Sequence, residues 1–426
     1  MMTSDYAFVW IWLPNETSPV VAGKLTRQNN RFLFNYGQSY LKRRNAIAIY
    51  DPELPLQAGE IPLNNVMVIP SCIRDASPDA WGRRVIINRK FGKRKDDANV
   101  GDLDELSYLL ESGSDRIGAL DFQLSATEYV PRQRKNASLE ELQQSVERVE
   151  KGVPLTKELD EALNHGTSIG GARPKALIDT EDKKFIAKFS SASDTYDVIK
   201  GEYIAMRLAA IIGLNVANVS LEKAGNKDVL LIERFDRVFE NDKCFRRSMV
   251  SALTLLDLDE MQARHASYQN FATIIRHRFE DPSQTLKELF GRIVFNVLSG
   301  NTDDHARNHA AFWDGSVLSL TPAYDICPQN RQGGEASQAM LINDNNNLSR
   351  ITTCLDAAHH FLLAKEEAVE IIETMINVIV KNWKSVCDEA AMSEVDRNFY
   401  WKRIFMNPYA FELLPKDFSF LGNHDL

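Results

Sequence analysis

The side chains best suited to chemistry lie in residues 301–309, which read Asn-Thr-Asp-Asp-His-Ala-Arg-Asn-His. Asp303 precedes Asn308 by five positions, which is the spacing of a catalytic loop for phosphoryl transfer. In such a loop the Asp accepts the proton of the substrate hydroxyl, and the Asn binds a magnesium ion. Asp325 follows Asp303 by 22 positions, close to the distance at which kinases place their main metal-binding Asp. Alone, this spacing is also typical of a polar turn or a helix cap.

A glycine-rich segment with two cations precedes this loop at residues 165–175, His-Gly-Thr-Ser-Ile-Gly-Gly-Ala-Arg-Pro-Lys. Adjacent glycines let backbone N–H groups approach phosphate oxygens, because no Cβ stands in the way. The loop is therefore predicted to wrap a nucleotide. The residues predicted to contact it are Gly170, Gly171, Ala172, Arg173, Pro174 and Lys175. The segment is not a Walker A loop, since Ala172 stands where that motif requires lysine.

Lys188 lies in the second of two short apolar runs, 176–179 and 185–189, that are joined by a charged turn. This pattern predicts a β-hairpin directly after the glycine-rich segment. A strand lysine at this place is how kinases reach the α- and β-phosphates of ATP. The alternative is a solubilising lysine on an edge strand.

Glu202 begins a predicted amphipathic helix over residues 202–213, which ends at Gly213 as the C-cap. A glutamate on the first turn of this helix could pair with Lys188. It could equally serve the positive end of the helix dipole.

Residues 229–237 predict a strand that leaves a core and enters a polar connector. In a kinase this segment is the hinge, and the backbone groups of Glu233 and Phe235 would hold the adenine, with Arg234 between them. The alternative is an ordinary strand with an exposed Arg–Asp pair, which contributes little to stability.

Taken in order, these segments resemble the HipA family, the bacterial serine/threonine kinase toxins of type II toxin–antitoxin modules. Residues 77–84 are similar to the Leu-Pro-Asp segment of that family, and residues 109–120 are similar to its Gly-x-Asp-x-x-Gly-Ala segment. The likeness covers nearly the whole chain. Two departures are visible: Asp304 stands where many members carry Gly, and Arg173-Pro174 stands where a Gln-Glu pair is familiar.

The resemblance implies an α+β, protein-kinase-like bilobal fold with a β-rich N-terminal subdomain and a mostly α-helical C-terminal lobe. The expected domains are residues 1–128, 129–237 and 238–426, with the glycine-rich loop and hinge in the second and the catalytic loop in the third. ATP and Mg²⁺ are the expected cofactors. Asp303 would be the catalytic base, Asn308 and Asp325 would hold magnesium, and Lys188 would neutralise phosphate charge. Three further loop residues are expected to order the loop or to touch phosphate: His305, Ala306 and Arg307.

The resemblance also implies partners and regulation. A small helix-turn-helix antitoxin, similar to HipB, would bind the chain, and operator DNA would be reached only through that complex. The implied substrate is a translation component such as an aminoacyl-tRNA synthetase, whose phosphorylation would arrest growth and favour persistence. Ser168 matches the loop serine that the family autophosphorylates, with Thr167 as the alternative acceptor. Phosphate at Ser168 would compete with ATP and eject the loop.

Two other functions are compatible with parts of the sequence. His305 and His309 have the i, i+4 spacing of a zinc hydrolase, but that motif needs Glu after the first His, and Ala306 stands there. A catalytically weak, kinase-fold corepressor or scaffold bound to a DNA-binding antitoxin would need no phosphoryl transfer. The intact set of Lys188, Asp303, Asn308 and Asp325 argues against it.

Composition places further bounds on the protein. A chain of 426 residues predicts two or three domains, and 44% hydrophobic residues with no 18-residue apolar run predict no membrane span. No basic start precedes the apolar stretch 7–13, so no signal peptide is expected. The five cysteines are scattered along the chain, which is typical of reduced thiols and predicts a cytoplasmic protein. The net charge of −9 argues against general nucleic-acid binding, yet residues 83–95 hold seven cations. They form either a solvated basic helix or a face for DNA phosphates.

Patterning predicts the elements that must position these residues. Runs of β type occur at residues 8–12 and 46–50. Helices are predicted at about 78–91 and 103–112, and at 138–151 with Ser138 and Glu141 as a capping box. Residues 129–138 are predicted to be a connector. Beyond about residue 247 the chain is predicted to be mostly helical, including 284–298 and 364–386, with an exposed turn at 343–347.

Overall fold

The structure is a computed structural model that describes residues 4–64, 66–91, 103–132, 137–156, 159, 163, 171–331 and 334–414. Ser168, Thr167 and Gly170 lie outside the described residues, as do the last three cations of the basic segment. All five cysteines are described, and none of them forms a disulfide bond. In the described part of the chain, no helix is both long enough and apolar enough to cross a membrane.

The chain folds into two compact units, each assembled from separate stretches of sequence. The first comprises Met1–Asp194, Glu222–Val250 and Phe312–Ser316, and the second comprises Thr195–Leu221, Ser251–Ala311 and Val317–Leu426. Both predicted domain boundaries, after residues 128 and 237, fall inside the first unit, so the three-part division stays a prediction.

The first unit begins with a four-stranded antiparallel sheet in the order β3-β2-β1-β4. Its strands are β1 (Tyr6–Ile11), β2 (Val20–Gln28), β3 (Arg31–Tyr36) and β4 (Leu120–Gln123). The predicted β run at 8–12 falls in β1, where Ala7, Val9 and Ile11 are buried at alternating positions.

The predicted strand at residues 46–50 is wrong. These residues are buried in part but make no ladder, because their backbone groups bind side chains instead. The N–H of Ile49 donates to the Tyr36 hydroxyl at 2.9 Å, and the Ala48 carbonyl accepts from the Trp313 indole at 2.9 Å.

A second antiparallel sheet in the first unit carries the predicted hairpin. β5 (Lys175–Asp179) pairs with β6 (Lys184–Phe189), and β6 pairs on its other edge with β8 (Lys227–Glu233). One face of these strands packs on two helices, Ala80–Phe91 and Leu139–Glu150. The shared core consists of Trp81, Val85, Leu142, Val146, Val149, Leu163, Ala176, Ala187, Phe189, Ala224 and Val229. Burying each large apolar side chain of this core contributes about 1.5–3 kcal/mol.

Other elements of the first unit confirm local predictions. The helix Leu139–Glu150 begins with the predicted capping box, in which Ser138 and Glu141 exchange side-chain and backbone hydrogen bonds. The predicted helix at 103–112 is Glu105–Glu111. The remaining elements are the short helices Gln38–Leu41 and Ser71–Arg74, and the hairpin of β9 (Arg237–Glu240) with β10 (Lys243–Arg246). The boundary between the units falls inside three strands, β7 (Val219–Ala224), β11 (Ser248–Ser251) and β12 (Ala310–Trp313).

The second unit is mostly helical, as predicted. Its α-helices are Val198–Ile212, Ala252–Leu255, Tyr268–Arg278, Pro282–Ser299, Ile351–Ala357, Lys365–Glu389 and Glu394–Tyr400. It also contains β13 (Leu318–Leu320) and the 3₁₀ helices Glu260–His265, Ala306–Asn308, Ala358–Phe361 and Pro408–Phe411. The predicted turn at 343–347 is confirmed, with Asp344 and Asn345 exposed.

The helix that carries Glu202 begins earlier than predicted. Asp197 is the N-cap of Val198–Ile212 and accepts from the Lys200 N–H, whereas Gly213 ends the helix in the left-handed conformation, as expected. Glu202 therefore lies in the second turn. Because the helix dipole acts within the first turn, the dipole interpretation of Glu202 is wrong.

Candidate active site

The catalytic-loop sequence follows a helix of the second unit whose C-terminal part is completely buried. Pro282–Ser299 begins with Asp281 as N-cap and proline in its first turn, and every residue from Leu289 to Ser299 is buried. Gly300 ends the helix with φ at 71°, a conformation that glycine adopts without strain. A rigid helix therefore determines where residues 301–309 start.

Asp303 and Asn308 lie on one tight turn. The N–H of His305 donates to the Asp303 carbonyl at 2.9 Å, and the N–H of Asn308 donates to the His305 carbonyl at 2.8 Å. The Asn308 amide Nδ2 also donates to the Asp303 carbonyl, at 3.3 Å. This bond fixes the amide so that its oxygen remains available for another ligand.

The segment that contains Asp325 is held against this loop. The Tyr324 hydroxyl donates to the Arg307 carbonyl at 2.7 Å, and Asp325 itself has φ at 58°, in the left-handed region. Partial burial raises the pKa of Asp303, and the negative charges of Asp325 and Asp304 raise it further, while His305 opposes them. The structure therefore brings Asp303, Asn308 and Asp325 together, although Asp325 is remote from the loop in sequence.

Asp304 is a site residue whose function the sequence did not indicate. Its buried carboxylate accepts from the Asn296 amide at 2.6 Å, from His309 Nε2 at 2.8 Å and from the Tyr268 hydroxyl. Burial alone would raise the pKa of Asp304, but the charge and hydrogen bond of His309 and the bond from Tyr268 hold it below its ordinary value. The sequence signal for this residue was the acidic side chain at a position where many members of the family carry Gly.

The zinc interpretation has no ligand set in the described residues. His309 Nε2 is bonded to Asp304, and the described ranges contain no converging group of three or more His, Cys, Asp or Glu side chains able to hold a metal ion. A kinase site does not need such a group, because Mg²⁺ is held by one or two protein ligands together with phosphates and waters.

Arg307 and Glu202 are placed without a demonstrated contact to substrate. The Arg307 guanidinium bonds the exposed Glu260 carboxylate at 2.5 Å, so a contact of Arg307 with phosphate stays a prediction. Glu202 is completely buried in the second unit. Its pairing with Lys188 stays a prediction.

In the first unit, the described end of the glycine-rich loop is bound by the segment at residues 77–84. The N–H of Gly171 donates to the Asp79 carboxylate at 2.6 Å, and the Gly171 carbonyl accepts from the Trp81 N–H at 3.3 Å. The Trp81 indole in turn donates to the Lys175 carbonyl at 3.0 Å. The segment that resembles the family's Leu-Pro-Asp motif therefore positions the end of the loop.

Two buried lysines share one face of the second sheet. Lys175 and Lys188 are directly opposite each other in the β5–β6 register and are only 3% and 5% exposed. Because β6 is a central strand between β5 and β8, the edge-strand interpretation of Lys188 is wrong. A Cβ on Gly171, whose φ is 104°, would collide with the Lys175 ammonium group, so glycine leaves room for this cation.

Arg173, the residue of the loop that departs from the family pattern, is bound within the first unit. Its guanidinium bonds the Asp194 carboxylate at 2.8 Å, and that carboxylate also accepts from the Ser191 N–H at 2.8 Å. A contact of Arg173 with ATP stays a prediction, as do the contacts of Ala172 and Pro174.

The candidate hinge is held by a buried ionic network. Arg234 bonds Asp236 at 2.8 Å and Asp115 at 3.1 Å, and Arg237 bonds the same two carboxylates at 2.9 and 2.8 Å. Both guanidinium groups also donate to the Arg116 carbonyl. The alternative of an exposed Arg–Asp pair is therefore wrong. Asp115 and Arg116 belong to the segment that resembles the family's Gly-x-Asp motif, so two distant motifs form one structure.

The hinge residues predicted to bind adenine remain candidates. The Glu233 side chain pairs with Lys183 at 2.9 Å, and the Phe235 ring meets Phe312 edge-on with 5.9 Å between centroids. The N–H of Arg234 donates to the Lys184 carbonyl at 2.8 Å. Contacts of the Glu233 and Phe235 backbone groups with adenine stay a prediction.

The basic segment is bound to acidic and carbonyl partners where it is described. Arg83 pairs with Glu105 at 2.7 Å, and Arg89 and Lys90 both pair with Glu111 at 2.6 Å. The apolar side of the same helix contributes to the core of the first unit, and both interpretations of its basic face stay predictions. A DNA phosphate would have to compete with these glutamates, and contact with DNA stays a prediction.

Comparison with known proteins agrees with this geometry. The fold matches a solved complex from Shewanella oneidensis that contains the toxin HipA, HipB and operator DNA, with a TM-score of 0.67 and 17% identity over 95% of this chain and 99% of that one. The architecture is thus a protein-kinase-like α+β fold. Residues 13–123 match the HipA N-terminal domain, and residues 167–383 match the HipA-like C-terminal domain. The chain belongs to the HipA family.

A relative by sequence is the serine/threonine-protein kinase toxin HipA of Shewanella oneidensis, 27% identical over 202 residues, or 42% of this chain and 47% of the relative. The chain spans about half the length of the relatives that it matches by sequence. The family and the fold are established by the domain and structural matches, whereas the activity of the whole protein is not.

Proposed function

We propose that this protein is an ATP- and Mg²⁺-dependent serine/threonine protein kinase that acts as the toxin of a type II toxin–antitoxin module. The observation that carries the proposal is the assembly of Asp303, Asn308 and Asp325 in one unit, with Tyr324 bonded to the catalytic loop at 2.7 Å. Membership of the HipA family and the kinase names of its relatives support the same conclusion.

Asp303 is the proposed catalytic base. Burial and the neighbouring carboxylates raise its pKa, which strengthens it as a base, while its side chain still reaches solvent, where a substrate hydroxyl would arrive. The bond from the Asn308 amide to the Asp303 backbone carbonyl holds the Asn308 side chain against the backbone of Asp303. The Asp303 carboxylate would accept the hydroxyl proton as that oxygen attacks the terminal phosphate.

Asn308 and Asp325 are the residues that would hold magnesium. Their fit to this ion rests on donor chemistry, an amide oxygen and a carboxylate. It also rests on the closeness of Asp325 to Asp303, whose pKa is raised mostly by burial and further by the charge of Asp325. When bound, magnesium would neutralise charge on the transferred phosphate. In the first unit, Lys175 and Lys188 present two adjacent cations suited to the other phosphates.

The finer parts of the proposal follow from the family. The substrate would be a translation component, with an aminoacyl-tRNA synthetase as the first candidate, and Ser168 would be the autophosphorylated residue that switches the kinase off. A HipB-like, helix-turn-helix antitoxin would bind the chain and bring it to operator DNA. The solved HipA, HipB and DNA complex of Shewanella oneidensis supports such a partner.

Phosphoproteomics of cells that express the wild-type chain or Asp303→Asn tests this function. We expect phosphorylated serine or threonine sites that appear with the wild type and vanish with Asp303→Asn. The matched control is Asp356→Asn, which neutralises an exposed aspartate of the same unit outside the loop and should behave as the wild type. ATP binding by the purified wild type without any phosphoryl transfer would instead establish the corepressor or scaffold function.

A further inference from the structure

We propose that Asp304 is a positioning residue that holds the catalytic loop in the conformation that presents Asp303 and Asn308. The inference rests on the proposed function, because it assigns Asp304 to the same loop. It concerns a residue that touches none of the reacting groups and that acts through its neighbour.

Asp304 collects donors from three separate parts of the second unit. The Tyr268 hydroxyl comes from the first turn of helix Tyr268–Arg278, the Asn296 amide from the buried helix, and His309 Nε2 from the end of the loop. The carboxylate is only 3% exposed, so water does not replace these donors. One buried acceptor thus joins the loop to two helices.

The donors are themselves fixed. Asn296 uses its amide nitrogen for Asp304 at 2.6 Å and its amide oxygen for the Asn301 amide at 3.0 Å, so one helix residue holds both the entry and the middle of the loop. The N–H of Tyr268 donates to the Leu341 carbonyl at 2.9 Å, and the Tyr268 ring lies edge-on to the His309 ring at 5.6 Å. Two of the three donors, Asn296 and Tyr268, are therefore held in place by further contacts.

Because Asp303 and Asp304 are adjacent in the chain, the hydrogen bonds of Asp304 also restrict the position of Asp303. Asp304 is buried, whereas the preceding side chain, Asp303, reaches solvent. Rotation of one residue would therefore displace the other. A carboxylate accepts several hydrogen bonds at once and has no N–H to oppose them. All three donors bond the same carboxylate oxygen, Oδ2. Asparagine could turn its amide oxygen to them but would remove the negative charge that strengthens all three bonds, and glycine would leave all three donors without their acceptor.

The test compares Tyr268→Phe and Asp304→Asn with the control Tyr203→Phe. Each tyrosine variant deletes one hydroxyl that donates to a carboxylate in the same unit, but Tyr203 bonds Glu389 at 2.5 Å, away from the loop. Hydrogen–deuterium exchange of peptides that cover residues 301–309 is measured beside single-turnover phosphorylation, ATP affinity and Tm. The exchange readout requires no kinase activity.

We expect both loop variants to exchange at least about tenfold faster at residues 301–309, with the rest of the unit unchanged. Phosphorylation should fall by up to about 100-fold while ATP affinity stays near that of the wild type, because a misplaced base affects the chemical step. Tyr203→Phe should change neither measurement. Unchanged exchange in a folded Asp304→Asn protein overturns the proposal, as does a loss confined to Tm. If the wild type transfers no phosphate, the proposed function fails, and the exchange result still decides whether Asp304 positions the loop.

Discussion

Replacing Asp115 by asparagine tests whether the ionic network stabilises the candidate hinge. The Asp115 carboxylate accepts from Lys184 at 2.6 Å, from Arg237 at 2.8 Å and from Arg234 at 3.1 Å. Asparagine keeps the size of the side chain but removes the charge. Arg234 and Arg237 are 0% and 1% exposed in their side chains, so water cannot take the place of the lost carboxylate.

The expected loss is about 3 kcal/mol of the free energy of unfolding. Removing one partner of a buried ion pair costs about 3–5 kcal/mol, because the remaining charge stays buried. The lower end applies here for two reasons. Asp115 is 20% exposed, and Asp236 still pairs with both arginines at 2.8 and 2.9 Å. Asp236→Asn should cost more, since Asp236 is only 3% exposed and also accepts from the Gly118 N–H at 2.8 Å.

Urea unfolding followed by tryptophan fluorescence measures this difference. The control is Lys223→Gln, which breaks the pair of Lys223 with Asp228 on the same unit, where Lys223 is 62% exposed. That variant should lose less than about 1 kcal/mol. A loss below about 1 kcal/mol for Asp115→Asn, with an unchanged m-value, would refute the argument that the network stabilises the hinge.

Acidification supplies a second measurement on the same variant. Although burial opposes it, the charges of Arg234, Arg237 and Lys184 hold the pKa of Asp115 well below its usual range. A carboxyl with a depressed folded-state pKa stabilises the protein above its unfolded pKa of about 4, and that stability is lost as the pH falls through the folded value. The difference in the free energy of unfolding between the wild type and Asp115→Asn should therefore be largest at pH 7 and should decrease below about pH 4.

Three further outcomes are expected. Asp325→Asn should lower phosphoryl transfer by at least about 100-fold in single-turnover assays while Tm stays near that of the wild type, and retained growth arrest in cells would contradict the mechanism. Gly300→Ala should cost at least about 1 kcal/mol in urea unfolding, because φ is 71° and the new Cβ would lie 2.6 Å from the Ile404 carbonyl oxygen; an unchanged midpoint would contradict it. Mass spectrometry after incubation with ATP and Mg²⁺ should find phosphate on Ser168, and phosphate that persists unchanged in Ser168→Ala would place the acceptor elsewhere.

Local patterns in the sequence were sufficient for many elements. The capping box of Ser138 and Glu141, the C-cap at Gly213 and the β5–β6 hairpin depend on residues a few positions apart, so their signals are contained in short windows. The order of the candidate kinase residues along the chain also predicted the HipA family, and this prediction is confirmed. Their catalytic assignments remain predictions.

Long-range contacts decided what short windows missed. Residues 46–50 have a β pattern but bind side chains such as Tyr36 instead of a neighbouring strand. The alternative of an exposed Arg–Asp pair at the hinge fails because a second acceptor, Asp115, lies far upstream in the sequence.

The sequence by itself determined the spacing of Asp303, Asn308 and Asp325, since catalytic-loop chemistry requires residue types at fixed intervals. Only the tertiary structure decided that Asp304 is a buried anchor and that Lys188 lies on a central strand opposite Lys175. The physical reason is that burial and hydrogen-bond satisfaction belong to the packed surroundings of a group. Tyr268 and Asp304 become partners through folding, and no periodicity of the chain records that contact.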